Sequence, residues 1–147
     1  NPYLRTKIMT ATPEELRMML YDGAIKFCTQ ARAAMEKSDF ETSYNSLMRA
    51  QKIVLELSTS LDHTMAPELC EKLSALYTYI YRRLVDANVE HDLSAVDEAI
   101  QLIKYQKETW SMLIEKLNSE GNPRHGSDQV GIANAQQTAI SSLSTSA

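Results

Sequence analysis

The sequence predicts an all-α protein, built as an antiparallel, up-down four-helix bundle. In four long segments, apolar residues recur at alternating steps of three and four, which is the spacing of helices that pack in bundles. Gly and Pro occur only four times each in 147 residues, too few for the many turns of a β architecture. Only short stretches separate the four segments, and such connections place successive helices antiparallel.

The first predicted helix runs from Pro13 to Lys37. Thr12 is in the N-cap position, Pro13 occupies the first helical position, and Glu15 completes a capping box. Residues 1–11 show no sustained helical period, so we expect an extended segment there. Six residues are predicted to form the core face of this helix: Leu16, Leu20, Ala24, Phe27, Ala31 and Ala34. Three apolar residues fall outside that face: Met18, Tyr21 and Ile25.

The other three helices are predicted from start signals and from their apolar lines. Ser38 and Asp39 mark the start of the second helix, Pro67 that of the third and Ser94 that of the fourth, which ends at Gly121. The predicted core line of the second helix is Tyr44, Leu47, Gln51, Val54, Ser58 and Leu61. That of the third helix is Leu69, Leu73, Leu76, Ile80, Leu84 and Ala87. That of the fourth helix is Val96, Ala99, Ile103, Gln106, Trp110, Leu113 and Leu117.

The C-terminal stretch, residues 121–147, is predicted to be a tail outside the bundle domain of residues 1–120. It is rich in Ser, Thr, Ala and Gln, and its only charged residues are Arg124 and Asp128. We therefore expect it to be mobile. A short, weakly stable helix is the alternative, because five residues of the tail fall at helical spacing: Ile132, Gln136, Ala139, Ile140 and Leu143.

Composition excludes several classes of partner. The formal charge of −4 is opposite in sign to what would neutralise phosphates, so nucleic acid is not expected to bind. The chain has no apolar run long enough to cross a bilayer and no apolar centre of a secretory signal. We therefore expect a cytoplasmic protein that is not inserted in a membrane.

The sequence offers little for catalysis, and no cofactor or metal is expected. It contains no Glu-x-x-His pair of the kind that holds di-iron centres in bundles. Cys28 and Cys70 lie in helical pattern without a CxxC motif, so we expect buried, reduced thiols. His63, His91 and His125 fall in a connector, at a helix end and in the tail. A histidine phosphotransfer bundle, which needs such a residue in mid-helix, stays as the alternative function from a different class.

Several apolar residues lie outside the predicted core. We expect five of them to face solvent or a partner: Met48, Leu55, Tyr79, Tyr105 and Met112. Single exposed apolar residues are common, but Met and Tyr suit a surface that repacks around another chain. The pattern therefore favours binding of an amphipathic helix in a groove. A homodimer formed through the same apolar flanks is left open.

Four blocks of the sequence resemble one family. They are the opening residues 1–3, the stretch 9–24, the stretch 49–54 and, above all, residues 76–88. These blocks are similar to sequences of the flagellar secretion chaperone family FliS and occur in the same order. Trp110 also lies at a position that matches this family. The resemblance runs from residue 1 to about residue 120 and does not include the tail.

The resemblance implies a bundle that binds the disordered C-terminal segment of flagellin in apolar grooves in the cytoplasm. It implies that the chaperone prevents premature filament assembly and delivers flagellin to a component of the flagellar type III export gate. It also implies that residues 1–11 act as a cap, in which Tyr3, Ile8 and Met9 cover part of a groove when cargo is absent and contribute to docking at the gate.

Overall fold

The computed structural model describes residues 1–64 and 66–120, and these residues form five α-helices and no strand. The helices are α1 (Pro2–Thr10), α2 (Pro13–Glu36), α3 (Phe40–Thr59), α4 (Pro67–Glu90) and α5 (Leu93–Ser119). The all-α class and the four long helices predicted from the sequence are thus confirmed. The predicted tail lies outside the described residues.

The prediction of an extended N-terminal segment is wrong, because residues 2–10 form helix α1. The Asn1 side-chain oxygen accepts a hydrogen bond from the Tyr3 backbone N–H at 3.0 Å, and Pro2 occupies the first helical position. The hydroxyls of Thr6 and Thr10 donate to carbonyls four residues earlier. None of the residues of α1 is buried. Apolar periodicity was absent because this helix has no buried face.

Side-chain caps begin α2, α3 and α5, whereas α4 has no side-chain cap and begins at Pro67. The Thr12 hydroxyl accepts from the Glu15 N–H at 3.1 Å, as predicted. Asp39 caps α3 by accepting from the Thr42 N–H at 3.3 Å. For α5 the predicted cap Ser94 is wrong: Asp92 accepts from the Ser94 N–H at 2.9 Å, so the cap lies two residues earlier than expected and the helix begins at Leu93. An aspartate can accept from two successive N–H groups at once, which favours it over the serine that follows.

The four long helices pack in a ring. Helix α2 contacts α3 and α5, and α4 contacts the same two helices from the other side. Two ion pairs join α2 to α5: Arg32 Nε to Asp97 Oδ1 at 2.5 Å, and Lys107 Nζ to Asp22 Oδ1 at 2.6 Å. The pair nearer the start of α2 is nearer the end of α5, so these two helices run in opposite directions.

The core lies along the inner line of each long helix. The predicted lines of α4 and α5 are largely buried, as are Leu47, Gln51 and Val54 of α3. Cys28 and Cys70 are also buried, and burial raises the pKa of Cys28 to about 12. Tyr44 is the exception on α3, because its side chain is 53% exposed.

The core face of α2 is rotated relative to the prediction. Leu16, expected in the core, is 38% exposed, whereas Tyr21, expected outside it, is fully buried. The observed buried residues are Tyr21, Ala24, Cys28, Ala31, Ala34 and Met35, of which the three alanines were predicted. The Tyr21 hydroxyl lies 2.8 Å from that of Tyr77 on α4, so the polar end of each ring has a hydrogen-bond partner inside the bundle.

This tyrosine pair predicts a loss of stability at alkaline pH. Burial, followed by the neighbouring Tyr21 oxygen, raises the pKa of Tyr77 well above its ordinary value. A phenol whose pKa is higher in the folded state stabilises the fold below its unfolded pKa of about 10, and this contribution is lost as the pH rises further. We expect the free energy of unfolding, measured by urea titration, to fall above about pH 10, and to fall less steeply in Tyr77→Phe. Equal slopes in the two proteins would contradict this assignment.

Gly23 predicts a second stability effect, at the contact between α2 and α3. A Cβ at this position would lie 3.2 Å from Ile53 Cδ1, which is the end of a flexible side chain. Gly23→Ala is therefore expected to be close to neutral, since a helix gains about 0.5 to 1 kcal/mol from this replacement while Ile53 shifts. Gly23→Leu should destabilise by about 1 to 3 kcal/mol through overpacking, and Ile53→Ala added to it should recover part of that loss in thermal unfolding.

Candidate partner-binding surfaces

The predicted partner-binding residues differ in their exposure. Met48 is half-buried. The other seven are exposed: Tyr3 and Met9 to about three-quarters, Met112 to 63%, Leu55 to 53%, Tyr79 to 47%, Ile8 to 44% and Tyr105 to 36%. These seven, and part of Met48, can therefore be reached from solvent.

Met48 and Leu55 lie on the side of α3 that faces α4. The amide of Asn88 on α4 donates to Gln51 Oε1 at 3.4 Å and marks this side. Met48 precedes Gln51 by three residues and Leu55 follows it by four, so all three lie on one line of the helix. On α4, Tyr81 and Val85 precede Asn88 on its line and are half-buried. We call Met48, Leu55, Tyr81 and Val85 the α3–α4 surface.

Tyr105 and Met112 lie on the side of α5 that faces α4. Glu98 marks this side, because its carboxylate accepts a hydrogen bond from the Tyr79 hydroxyl and lies 3.3 Å from Arg83 Nε. Leu102, Tyr105 and Met112 follow Glu98 at helical spacing. We call Tyr79, Leu102, Tyr105 and Met112 the α4–α5 surface.

The hydrogen bond to Glu98 holds the Tyr79 ring along the flank of α4. This bond, more than any other contact, raises the pKa of the Tyr79 phenol, because the carboxylate disfavours a second negative charge. The ring is thereby positioned without being buried, and its face stays available for contact. An aromatic ring held in one orientation loses little conformational entropy when a partner packs against it.

On the two sides of α2, charged side chains lie over the contacts with the neighbouring helices. Towards α5, the ion pairs of Arg32 and Lys107 bridge the helices. Towards α3, the Lys26 ammonium lies 5.8 Å and the Arg49 guanidinium 5.4 Å from the centroid of the Phe27 ring. Charged groups thus lie over the flanks of α2, whereas both flanks of α4 present exposed or half-buried apolar side chains, on the α5 side next to the Arg83–Glu98 ion pair.

Sequence reasoning missed further exposed apolar residues near the start of α3 and the end of α4. Phe40, Tyr44 and Val89 are 40%, 53% and 73% exposed. The Phe40 ring stacks on the His91 ring, with centroids 3.7 Å apart and planes 5° from parallel. Spacing offered a signal: Phe40, Tyr44 and Met48 follow one another at steps of four, so Tyr44 belongs with the exposed line of Met48 rather than with the core.

Within residues 1–64 and 66–120, no group of three or more His, Cys, Asp or Glu side chains is arranged to hold a metal ion. In the same residues, no helix is both long enough and apolar enough to cross a membrane. His63 is exposed in the connector between α3 and α4, His91 is exposed at the C-cap of α4, and His125 lies outside the described residues.

The described residues form an all-helical fold with exposed apolar side chains next to both flanks of α4. Sequence comparisons show the family to which this helical protein belongs. The sequence model of the family described as "Flagellar protein FliS" matches residues 1–117. The chain therefore belongs to the FliS family, as the resemblance in the sequence indicated.

Three relatives illustrate this membership, and each is called "Flagellar secretion chaperone FliS". The chain is 38% identical to the Bacillus subtilis (strain 168) protein over 130 residues, which are 86% of this chain and 94% of the relative. It is 32% identical to the Salmonella typhimurium protein over 116 residues, 78% of this chain and 86% of the relative. It is 33% identical to the Escherichia coli (strain K12) protein over 108 residues, 73% and 79% of the two chains.

Because the apolar surfaces are exposed, charges placed on them should leave the fold intact. We expect Leu55→Asp and Met112→Asp to change the free energy of unfolding by no more than about 0.5 to 1 kcal/mol. Ile80→Asp, which puts a charge in the core, should abolish cooperative unfolding. Circular dichroism and thermal melting test both expectations; loss of the fold in either surface variant would place that residue in the core.

Proposed function

We propose that this protein is an export chaperone that binds the C-terminal segment of flagellin in the cytoplasm. Its four long helices are proposed to form an up-down antiparallel bundle, and it acts by binding rather than by catalysis. One observation carries the proposal: exposed apolar side chains, among them Leu55, Tyr105 and Met112, lie next to both flanks of α4. The names of the curated relatives support a role in flagellar secretion.

The guest is proposed to lie in the α3–α4 and α4–α5 surfaces as amphipathic helices. Leu55 and Met112 are the most exposed members of the two surfaces and have the most apolar area to bury. The Met112 thioether and the half-buried Met48 can change rotamer to fit different guest side chains. A guest bound in this way keeps its own apolar residues from other flagellin molecules, and premature filament assembly is prevented without covalent chemistry.

Helix α1 is proposed to act as the cap and to contribute to docking at a component of the flagellar export gate. Tyr3 and Met9 are the most exposed of its large apolar side chains, and Ile8 is 44% exposed. The C-cap residue Ala11 has an extended backbone (φ −72°, ψ 142°), which separates α1 from α2. A helix with no buried residue and an extended joint can cover an apolar surface in the free protein and leave it when cargo arrives.

Isothermal titration calorimetry with a flagellin C-terminal peptide tests the proposal. Folding and binding of a disordered guest in apolar surfaces typically bury about 2,000 Å² or more, which gives a large negative heat-capacity change. We expect Leu55→Asp and Met112→Asp each to weaken binding by about tenfold or more.

Ala33→Asp is the matched control. Ala33 is an exposed apolar residue of α2, so this variant adds the same charge away from both surfaces and should bind like the native chain. A heat-capacity change near zero, or equal weakening by all three variants, would contradict the proposed surfaces. A concentration-dependent mass without peptide would assign the apolar flanks to a homodimer instead.

A further inference from the structure

A cluster of five side chains joins all four long helices near the connection between α3 and α4. Arg17 of α2 donates from Nη1 to the hydroxyls of Tyr77 at 3.0 Å and Tyr21 at 3.3 Å. Its Nη2 donates to Ser60 Oγ, at the C-cap of α3, at 3.3 Å. Its guanidinium carbon lies 4.9 Å from the centroid of the Trp110 ring on α5. We call Arg17, Tyr21, Ser60, Tyr77 and Trp110 the Arg17 cluster.

The charge of Arg17 is held without a carboxylate. None of the ion pairs among the described residues includes Arg17. Burial disfavours the guanidinium cation, yet the oxygens of Tyr77 and Tyr21 outweigh this and raise the pKa of Arg17. The cation therefore depends on neutral hydroxyl groups and an aromatic face, each supplied by a different part of the bundle.

The C-terminus of α3 supplies a further favourable interaction. Ser60 Oγ, which accepts from Arg17, itself donates to the Leu57 carbonyl at 2.9 Å. The last carbonyls of a helix carry partial negative charge, and the last turn of α3 has no basic residue of its own. Arg17 thus provides, from α2, the cation that stabilises the end of α3.

The connector between α3 and α4 is tied to the same end of the bundle. The Cys70 thiol of α4 donates to the Asp62 carbonyl at 3.2 Å. The Asp62 carboxylate accepts from the Thr64 N–H at 3.0 Å and holds the turn. Cys70 also lies close enough to Arg17 for the cation to lower the pKa of its thiol, against the larger raising effects of burial and Asp62.

We propose that Arg17, through its hydrogen bonds and its contact with the Trp110 ring, holds this end of the bundle closed. Without its guanidinium, the end of α3, the connector and the first half of α4 open together as one unit, while the opposite end of the bundle stays closed. The opposite end has its own links, the Gln51–Asn88 hydrogen bond and the Phe40–His91 stack, which do not involve Arg17. The inference does not depend on the identity of the guest.

Amide hydrogen exchange of the whole chain, followed by mass spectrometry, tests whether Arg17 holds this end of the bundle closed. In Arg17→Met, which keeps an unbranched apolar stem and removes the donors and the charge, we expect exchange of residues 54–60 and 69–77 to accelerate about tenfold or more. Residues 43–50 and 84–90 should change by less than about twofold. Arg32→Met is the matched control, because Arg32 lies on the same helix and pairs only with exposed carboxylates; it should leave both regions unchanged.

Equal acceleration in all four long helices, or acceleration confined to α2, would overturn the proposal. A double-mutant cycle keeps it testable if Arg17→Met does not fold. Ser60→Ala should destabilise the native chain, and should have clearly less effect when Arg17 is replaced by Lys, which lacks the fork of donors. Equal effects of Ser60→Ala in the two backgrounds would show that Arg17 does not hold the end of α3.

Discussion

The structure depends on burial of one line of apolar residues from each of four helices arranged in a ring. A helix in such a ring packs mainly on its two neighbours, so its inner line is buried and its flanks are partly covered. Buried residues such as Leu47, Ile80 and Ile103 occupy the inner lines. The flanks are then free to differ between helices, and this difference separates the charged flanks of α2 from the apolar flanks of α4.

The ring also has to satisfy the polar groups that it encloses. Tyr21 and Tyr77 pair their hydroxyls in the core, and Gln51, which is buried, accepts from Asn88. A buried hydroxyl or amide without a partner would cost about 1 to 3 kcal/mol, so these pairs fix which faces of the helices meet. Specific pairing in the core therefore sets the rotation of α2, α3 and α4, and with it the residues of these helices that reach the surface.

This explains which parts of the fold could be predicted from the sequence. The helix class, the starts at Thr12 and Asp39 and the core lines of α4 and α5 follow from local signals and from apolar spacing. The rotation of α2 could not be predicted in this way, because the burial of Tyr21 depends on a hydroxyl of α4, distant in sequence. Helix α1 was missed for the opposite reason, since it is stabilised by local hydrogen bonds and has no apolar face to detect.

For the candidate surfaces too, local spacing could predict which residues are exposed, but not which helices lie side by side. Placing residues around each helix identified Leu55, Tyr79, Tyr105 and Met112 as outward, and the structure finds them exposed. It could not indicate which exposed lines lie next to each other. The contacts of Glu98 and Gln51 supply that information, because each reaches α4 from a different neighbour. Tyr79 and Tyr81, two residues apart, consequently lie on opposite flanks of α4. A guest that occupies either surface must therefore contact α4, which makes α4 the helix on which binding at the two surfaces meets.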